Sequence, residues 1–155
     1  MQRQIIHPFS RDEFDAIYAR VPRLTVEVLL ELPDGLVLVR RDIEPCAGQW
    51  HIPGGTVHFG ESMVAAVRRV AAVELGLDVT PGELVGYIEY PQMHANGYPG
   101  WPVGMAFTAT RVGGDLHGSD MGAEVACFRP EPASVPDDII AEQGIFLRQW
   151  FAQRG

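Results

Sequence analysis

Residues 54–77 read Gly-Gly-Thr-Val-His-Phe-Gly-Glu-Ser-Met-Val-Ala-Ala-Val-Arg-Arg-Val-Ala-Ala-Val-Glu-Leu-Gly-Leu and leave the backbone few options. The glycine pair predicts a loop. Ser62 can accept the free N–H groups of a first helical turn, and Glu61 beside it suits the positive end of the helix dipole. Ala65, Ala66, Ala71 and Ala72 favour helix. Val64, Val67, Ala71 and Glu74 recur at spacings of three and four, which sets them on one stripe. Gly76 supplies the left-handed residue that ends the helix. The expectation is a loop, a helix and a second loop.

Five residues separate Gly55 from Glu61, seven more lead to Arg69, and Glu74 stands two residues before Gly76. This pattern resembles the Nudix box, G-x5-E-x7-R-E-U-x-E-E-x-G-U with U apolar, at Gly55, Glu61, Arg69, Glu74, Gly76 and Leu77. Val70 and Val73 stand where that family has metal-binding glutamates. The resemblance implies an α/β fold, a Nudix-type α/β/α sandwich with a mixed β-sheet, a central loop-helix-loop and, in this chain, an extra N-terminal helix. It also implies a hydrolase of a nucleoside diphosphate derivative that uses Mg2+, or Mn2+, as cofactor. A plainer reading of the same residues is an amphipathic helix after a glycine turn, with Glu61 and Glu74 merely solvated.

A chain of 155 residues that is 46% hydrophobic can bury one real core and is short for two, so residues 1–155 are expected to form a single domain with 1–22 as a helical extension. Twelve basic against twenty acidic residues give a net charge of −8. That disfavours a nucleic-acid polymer, whose phosphates need a basic stripe, but not a small anion in a cleft where a metal ion and a few arginines reverse the field. Cys46 and Cys127 form no CxxC pattern, so neither a zinc site nor a disulfide framework is expected. Residues 1–8 lack the apolar core of a signal peptide, and no later run approaches membrane-spanning length. A cytoplasmic protein with no membrane partner is the expectation.

Ser10 and Glu13 have the spacing of a capping box ahead of Phe14, Ile17, Tyr18 and Val21. They predict a short amphipathic helix that ends near Pro22 and packs on its own domain or on a second subunit. Leu24 to Leu32 reads as a strand, turned by Pro33-Asp34-Gly35 into a second strand from Leu36 to Arg40. Glu27 interrupts the first strand and Arg41 follows the second. They are surface groups on the plain reading, or else a carboxylate for sugar or base hydroxyls and a guanidinium fork for phosphate oxygens. Pro45 to Pro53 forms a loop and a short strand in which Trp50 and His51 read as structural.

Further strands are expected at 84–90, 103–112 and 124–128, with Gly113-Gly114 turning the second. Tyr90 to Pro102 gathers His94, Tyr98 and Trp101 among prolines and glycines, and no helix is expected there. Its rings make it a candidate lid over a base or a sugar, or else a proline-stiffened connection. Pro130 to Pro136 reads as a loop, and Ser134 to Asp137 as the opening of a final helix with Ile140, Leu147 and Phe151 along one side.

The likeness reaches past the box to the GDP-mannose mannosyl hydrolase branch of the same family. It covers the leading helix with Pro22, the strand bearing Glu27, Arg40-Arg41, the Pro45-x-x-Gly48-x-Trp50-x-x-Pro53-Gly-Gly approach, and Arg69 through Gly76. That branch also has apolar residues at the positions of Val70 and Val73. The resemblance implies that Glu74 and the Gly54 carbonyl bind magnesium, that Arg41 and Arg69 act on a diphosphate, and that Arg69 can also pair with Glu61. It implies that Glu27, where the branch has an aspartate, faces the substrate, and that a nucleotide sugar and a homodimer are involved. Thr56 replaces an arginine of the branch, and Met121-Gly122 stand where it has a Gln-His pair serving as metal ligand and general base. Asp120 or Glu124 can take over that work, with His58, His94 and His117 as alternatives.

The candidate catalytic residues are therefore Arg69, Glu61 and Asp120. The candidate substrate contacts are Glu27, Arg41, Tyr98 and Trp101, and the candidate metal ligands Gly54 and Glu74. Two competing readings are a pyrophosphohydrolase that cuts a P–O bond of another nucleotide, and a nucleotide-binding module without turnover.

Overall fold

The strand Arg23–Leu32, β1, is buried on both faces, and the computed structural model is built outward from it. It describes residues 7–44 and 46–154; Pro45 and residues 1–6 of the expected N-terminal extension lie outside the described residues. In chain order the elements are α1 (Arg11–Tyr18), β1, β2 (Gly35–Arg40), β3 (Trp50–His51), β4 (Gly54–Thr56), α2 (Met63–Leu75) and β5 (Leu77–Glu89). Then come α3 (Pro91–Ala95), β6 (Pro102–Gly114), β7 (Glu124–Phe128), a 3-10 turn at Pro132–Ser134, and α4 (Ala141–Arg154). β1 runs parallel to β6 and antiparallel to β2 and β4, while β5 pairs with β6 and β7 with β2, both antiparallel.

Alternation along the strands sends successive side chains to opposite layers. Val26, Val28, Leu30, Val37 and Val39 pack with Ala66, Val67, Val70, Ala71 and Leu75 of α2. Leu29, Leu36 and Leu38 point the other way, into a second core with Trp50, Ile52, Ile88, and Leu147 and Phe151 of α4. A mixed sheet between two helix layers is the α/β/α sandwich, with α1 as the extra N-terminal helix. No helix among the described residues is long and apolar enough to cross a membrane.

Local chemistry explains the two N-terminal helix starts. Ser62 Oγ accepts from Ala65 N–H at 3.1 Å, and Gly76 ends α2 at φ 69°. Val64 is not on the inward stripe: it is exposed, and the buried face is Ala66, Val67, Val70, Ala71 and Leu75. Ser10 and Glu13 close the expected capping box on α1. Phe14 and Tyr18 of that helix meet the His7 ring, while Ile17 and Val21 stay exposed.

Four expectations are corrected. Residues 91–95 do form a one-turn helix, because Pro91 suits a first helical position and Glu142 Oε2 accepts from Gln92 and Met93 N–H. β5 starts at Leu77, since Pro81-Gly82 is absorbed as a register shift in which Thr108 Oγ1 accepts from Glu83 N–H, not as a break. Gly113 and Gly114 do not turn β6; they pair with Asp78 and Leu77, and a Cβ on Gly114 would overlap the Gly76 carbonyl oxygen. α4 begins at Ala141, because Trp50 N–H donates to Asp138 O and Ile140 N–H to Trp50 O, holding 138–140 extended against β3.

Candidate active site

Two strands and one helix converge at Gly54. Glu27 pairs with Gly54 on the β4 side of β1, and Thr25 pairs with Gly104 on the β6 side. Both glycines make room for one side chain. A Cβ on Gly54 would overlap Glu27 Oε2 and come within 2.9 Å of the Val26 carbonyl oxygen, and a Cβ on Gly104 would stand 2.6 Å from Glu27 Oε1.

Glu27 is 5% exposed, so it is not a solvent-facing strand residue. Its Oε1 accepts from the Thr25 hydroxyl at 3.1 Å and the Tyr90 hydroxyl at 3.2 Å. The Tyr90 oxygen accepts from Gln143 Nε2 at 2.9 Å, and Gln143 Oε1 accepts from Ile52 N–H at 2.7 Å. A hydrogen-bonded chain thus links α4 to the carboxylate. Burial pushes the Glu27 carboxyl up to about 7, against the pull of the Thr25 and Tyr90 hydroxyls.

Glu74 reaches the same point from the α2 layer. Gly54 N–H bonds to its carboxylate, while Oε2 is buried and has no hydrogen-bond partner. Burial, then the nearby charge of Glu27, pushes its carboxyl up to about 8; Gly54 N–H and the Arg41 charge act in the opposite direction. An orphaned buried carboxylate oxygen beside Gly54 and a second buried carboxylate fits a hard divalent cation, which binds through one or two carboxylates and completes its shell with phosphate and water oxygens. Among the described residues no group of three or more His, Cys, Asp or Glu is arranged to hold a metal ion. Val70 shows why: it is buried in the core, and a Cβ on Gly55 would meet its Cγ2 at 3.0 Å.

Arg69 and Glu61 face one another. Arg69 Nε donates to Glu61 Oε2 at 2.8 Å, and Nη2 donates to Glu61 Oε1 at 2.9 Å and to the Thr56 carbonyl at 2.7 Å. His58 N–H also donates to Glu61. The Arg69 fork holds the Glu61 carboxyl down at about 2.

Arg41 sits at the mouth of the loop that leads to β3, its N–H donating to Gln49 O and its carbonyl accepting from Gly48 N–H. The next residue, Asp42, fastens the turn at 119–122: its N–H donates to Met121 O and its Oδ2 accepts from Ala123 N–H. Asp120 is exposed on that turn, and no hydrogen bond or ion pair joins it to Glu27, Glu74 or Arg69. Tyr98 and Trp101 lie toward α1. Tyr98 OH accepts from Arg23 Nη2 at 2.6 Å, and Trp101, half exposed, stands edge-on to His94.

The histidines have structural surroundings. His51 Nδ1 lies 2.9 Å from Ile52 O and burial lowers its pKa to about 4; His94 Nδ1 lies 3.0 Å from Gly100 O; His117 packs against Gly76; and His58 meets the His7 ring.

Several residues at the site are ones the sequence reading passed over: Arg23, Thr25, Tyr90 and Gln143. Arg23 Nη1 donates to Thr56 Oγ1 at 3.0 Å, so a guanidinium reaches the residue after the glycine pair from β1. The signal available was Thr25 and Glu27, which share one face of β1 with Arg23 and Glu31. Tyr90 and Gln143 carried none.

A mixed sheet whose central helix brings a carboxylate back to a preceding glycine pair is the arrangement of the Nudix domain. The NUDIX domain family model matches residues 21–149, and the chain belongs to that family. It is 42% identical over 79 residues to a low-salt glycan biosynthesis protein of Haloferax volcanii, covering 51% of each chain. It is 28% identical over 107 residues to an ADP-ribose pyrophosphatase of Methanocaldococcus jannaschii (69% of this chain, 62% of that one), and 29% identical over 133 residues to a human 8-oxo-dGDP phosphatase (84% and 38%). The matches thus span between about a third and two thirds of those relatives' length. In fold it is similar to a NUDIX hydrolase from Nitrosomonas europaea, with a TM-score of 0.73 at 23% identity over 87% of this chain and 73% of that one. It is also similar to a MutT NUDIX hydrolase from Burkholderia pseudomallei, with 0.72 at 24% over 84% and 98%.

Proposed function

We propose that this chain is a divalent-cation-dependent hydrolase of a nucleoside diphosphate derivative, with nucleoside diphosphate sugars as its substrate class. The observation that carries the proposal is Glu74 Oε2, buried without a protein partner beside Gly54 and within the field of Arg41. Glu74 and the Gly54 carbonyl would hold the ion, Mg2+ or Mn2+, whose charge when bound offsets that of a departing diphosphate. Arg41 supplies a fork for phosphate oxygens, and a donor of this kind lowers a barrier by on the order of 3 kcal/mol.

Arg69 and Glu61 are tied to each other and to Thr56, so their part is to fix the loop that follows Gly54. Asp120, on the turn fastened by Asp42 next to Arg41, is the carboxylate proposed to take the proton of the attacking water. Tyr98 and Trp101 offer rings to the base or sugar, and a groove of about 230 Å³ runs between Trp101, Pro99 and the Tyr18–Pro22 segment. A cytoplasmic location, and a homodimer joined through exposed Ile17 and Val21, belong to the same proposal.

The names of the relatives support a nucleotide substrate, and the glycan biosynthesis protein is in keeping with a nucleotide sugar. The pyrophosphatase and phosphatase names among the relatives favour a second reading, attack on phosphorus. Product analysis with a panel of sugar nucleotides and Mg2+ separates them: nucleoside diphosphate plus free sugar against nucleoside monophosphate plus sugar phosphate. Glu74→Gln should lose activity by about 100-fold or more, and Asp120→Asn should lower kcat by about 100-fold with little change in KM. A wild-type chain that binds nucleotide yet turns over neither the sugar nucleotides nor a panel of other nucleoside di- and triphosphates would leave only the binding-module reading.

A further inference from the structure

We infer that Glu27 is a second protein carboxylate of the cation site, presenting Oε2 to the ion from β1 while Tyr90 and Gln143 fix its orientation from the α4 side. The inference rests on the reading of the Glu74 site given above. It gives that site a ligand that α2 cannot supply.

α2 carries one carboxylate to Gly54, because Val70 is packed into the core against Gly55. One carboxylate leaves a doubly charged ion with half its charge unmatched, whereas two, with phosphate and water oxygens, make a usual shell for Mg2+. Glu27 is the other acidic side chain at this place. Its charge is felt at Glu74, and its Oε2 occupies the space that a Cβ on Gly54 would take. Gly54 is also the residue whose N–H bonds Glu74, so the two carboxylates meet across a single backbone position.

The surrounding hydrogen bonds decide which oxygen of Glu27 is available. Gln143 must accept from Ile52 N–H through its carbonyl oxygen, so its amide donates to the Tyr90 oxygen. The phenol proton is then directed at Glu27 Oε1, which also takes the Thr25 hydroxyl. Oε1 is committed on the α4 side, and Oε2 is turned toward Gly54. At 5% exposure, behind two strand glycines, the carboxylate is recessed for a sugar hydroxyl but well placed for an ion seated against Gly54. A carboxylate buried this deeply, whose Thr25 and Tyr90 donors are neutral, is costly unless a cation balances it.

The test is Mn2+ alone, titrated without nucleotide into the full chain and followed through the electron paramagnetic resonance of the free ion, with circular dichroism confirming the fold of each variant. Glu27→Gln should weaken Mn2+ by about 100-fold, and so should Glu27→Asp, which keeps the charge but withdraws the oxygens by one methylene. Tyr90→Phe, which leaves the ring packed and removes only the anchor on Oε1, should weaken it by about tenfold, as losing an outer partner of a metal ligand does. Glu74→Gln should abolish it.

Wild-type affinity in Glu27→Gln, with binding lost in Glu74→Gln, overturns the inference and leaves the proposed function standing, as does a Glu27→Asp variant that binds like wild type. Binding unchanged in Glu74→Gln sinks both. A wild-type chain that takes up no Mn2+ at millimolar concentrations overturns a preformed two-carboxylate site, while turnover in the presence of nucleotide would still support the enzyme. Should the Glu27 variants fail to fold, unchanged affinity in Tyr90→Phe overturns the arrangement by itself.

Discussion

A glycine can be required by what lies beside it rather than by its backbone angles, and Gly54 is such a residue. Its φ is ordinary for any side chain, yet a Cβ there would overlap Glu27 Oε2 and press on the Val26 carbonyl at 2.9 Å. Gly55 differs: its Cβ would meet only the Cγ2 methyl of Val70, at 3.0 Å, and a methyl can give by a few tenths of an ångström. Gly54→Ala should therefore cost about 2 kcal/mol in urea unfolding, in the range for overpacking a tight site, while Gly55→Ala should cost under about 1 kcal/mol. Equal losses in the two variants would mean that the Glu27 carboxylate is free to move aside. Local sequence marks Gly54 as half of a turn and the family resemblance marks its carbonyl as a metal ligand, but neither reports how closely Glu27 approaches it. Its partner across the ladder is 27 residues earlier, and that pairing is a property of the sheet.

At the scale of the element, α2 was legible because everything that defines it is local. Ser62 caps it, alanines fill it and Gly76 in the left-handed region stops it, all within one stretch of chain. α4 was only half legible. Leu147 and Phe151 do lie on its buried side, but its first turn is set by β3, which holds 138–140 extended, and no local rule reports that contact. The same blindness hid Gln143, which carries no local signal and is 3% exposed, with both ends of its amide in use. Gln143→Leu would fill the volume but leave Ile52 N–H buried without an acceptor, at a cost of about 1–3 kcal/mol. It would also remove the donor that orients Tyr90. Chemical denaturation should show that loss, and α4 should remain helical by far-ultraviolet circular dichroism. A variant as stable as wild type would mean that water reaches Ile52 N–H and that α4 is not coupled to the site through this amide.

For the molecule as a whole, the buried and paired carboxylates set opposite pH slopes in separate windows. Glu61, held at about 2 by Arg69 against an ordinary value of 4.5, favours the folded state above about pH 4.5, and that contribution is lost as pH falls toward 2. With both partners mostly buried but not sealed from solvent, it is worth on the order of 2 kcal/mol. Glu27 and Glu74 act with the reverse sign. Raised from 4.5 to about 7 and about 8, they keep protons in the folded state that the unfolded chain has already lost, so stability without a cation falls as pH rises from about 4.5 and levels off near 8. A divalent cation that binds only the folded chain must displace those protons, so its stabilisation grows across the same window. At a hundred times its dissociation constant it would add about 2.7 kcal/mol. Thermal unfolding with and without Mg2+ should thus show a small rise in Tm near about pH 5.5 and a larger one near about pH 8, with the increment abolished in Glu74→Gln. In Glu74→Gln the decline of stability with pH should also be shallower, because one of the two proton-retaining groups is gone. An Mg2+ increment as large at the acid end as at the alkaline end would show that the ion does not compete with protons at Glu27 and Glu74, and would place its binding elsewhere on the chain.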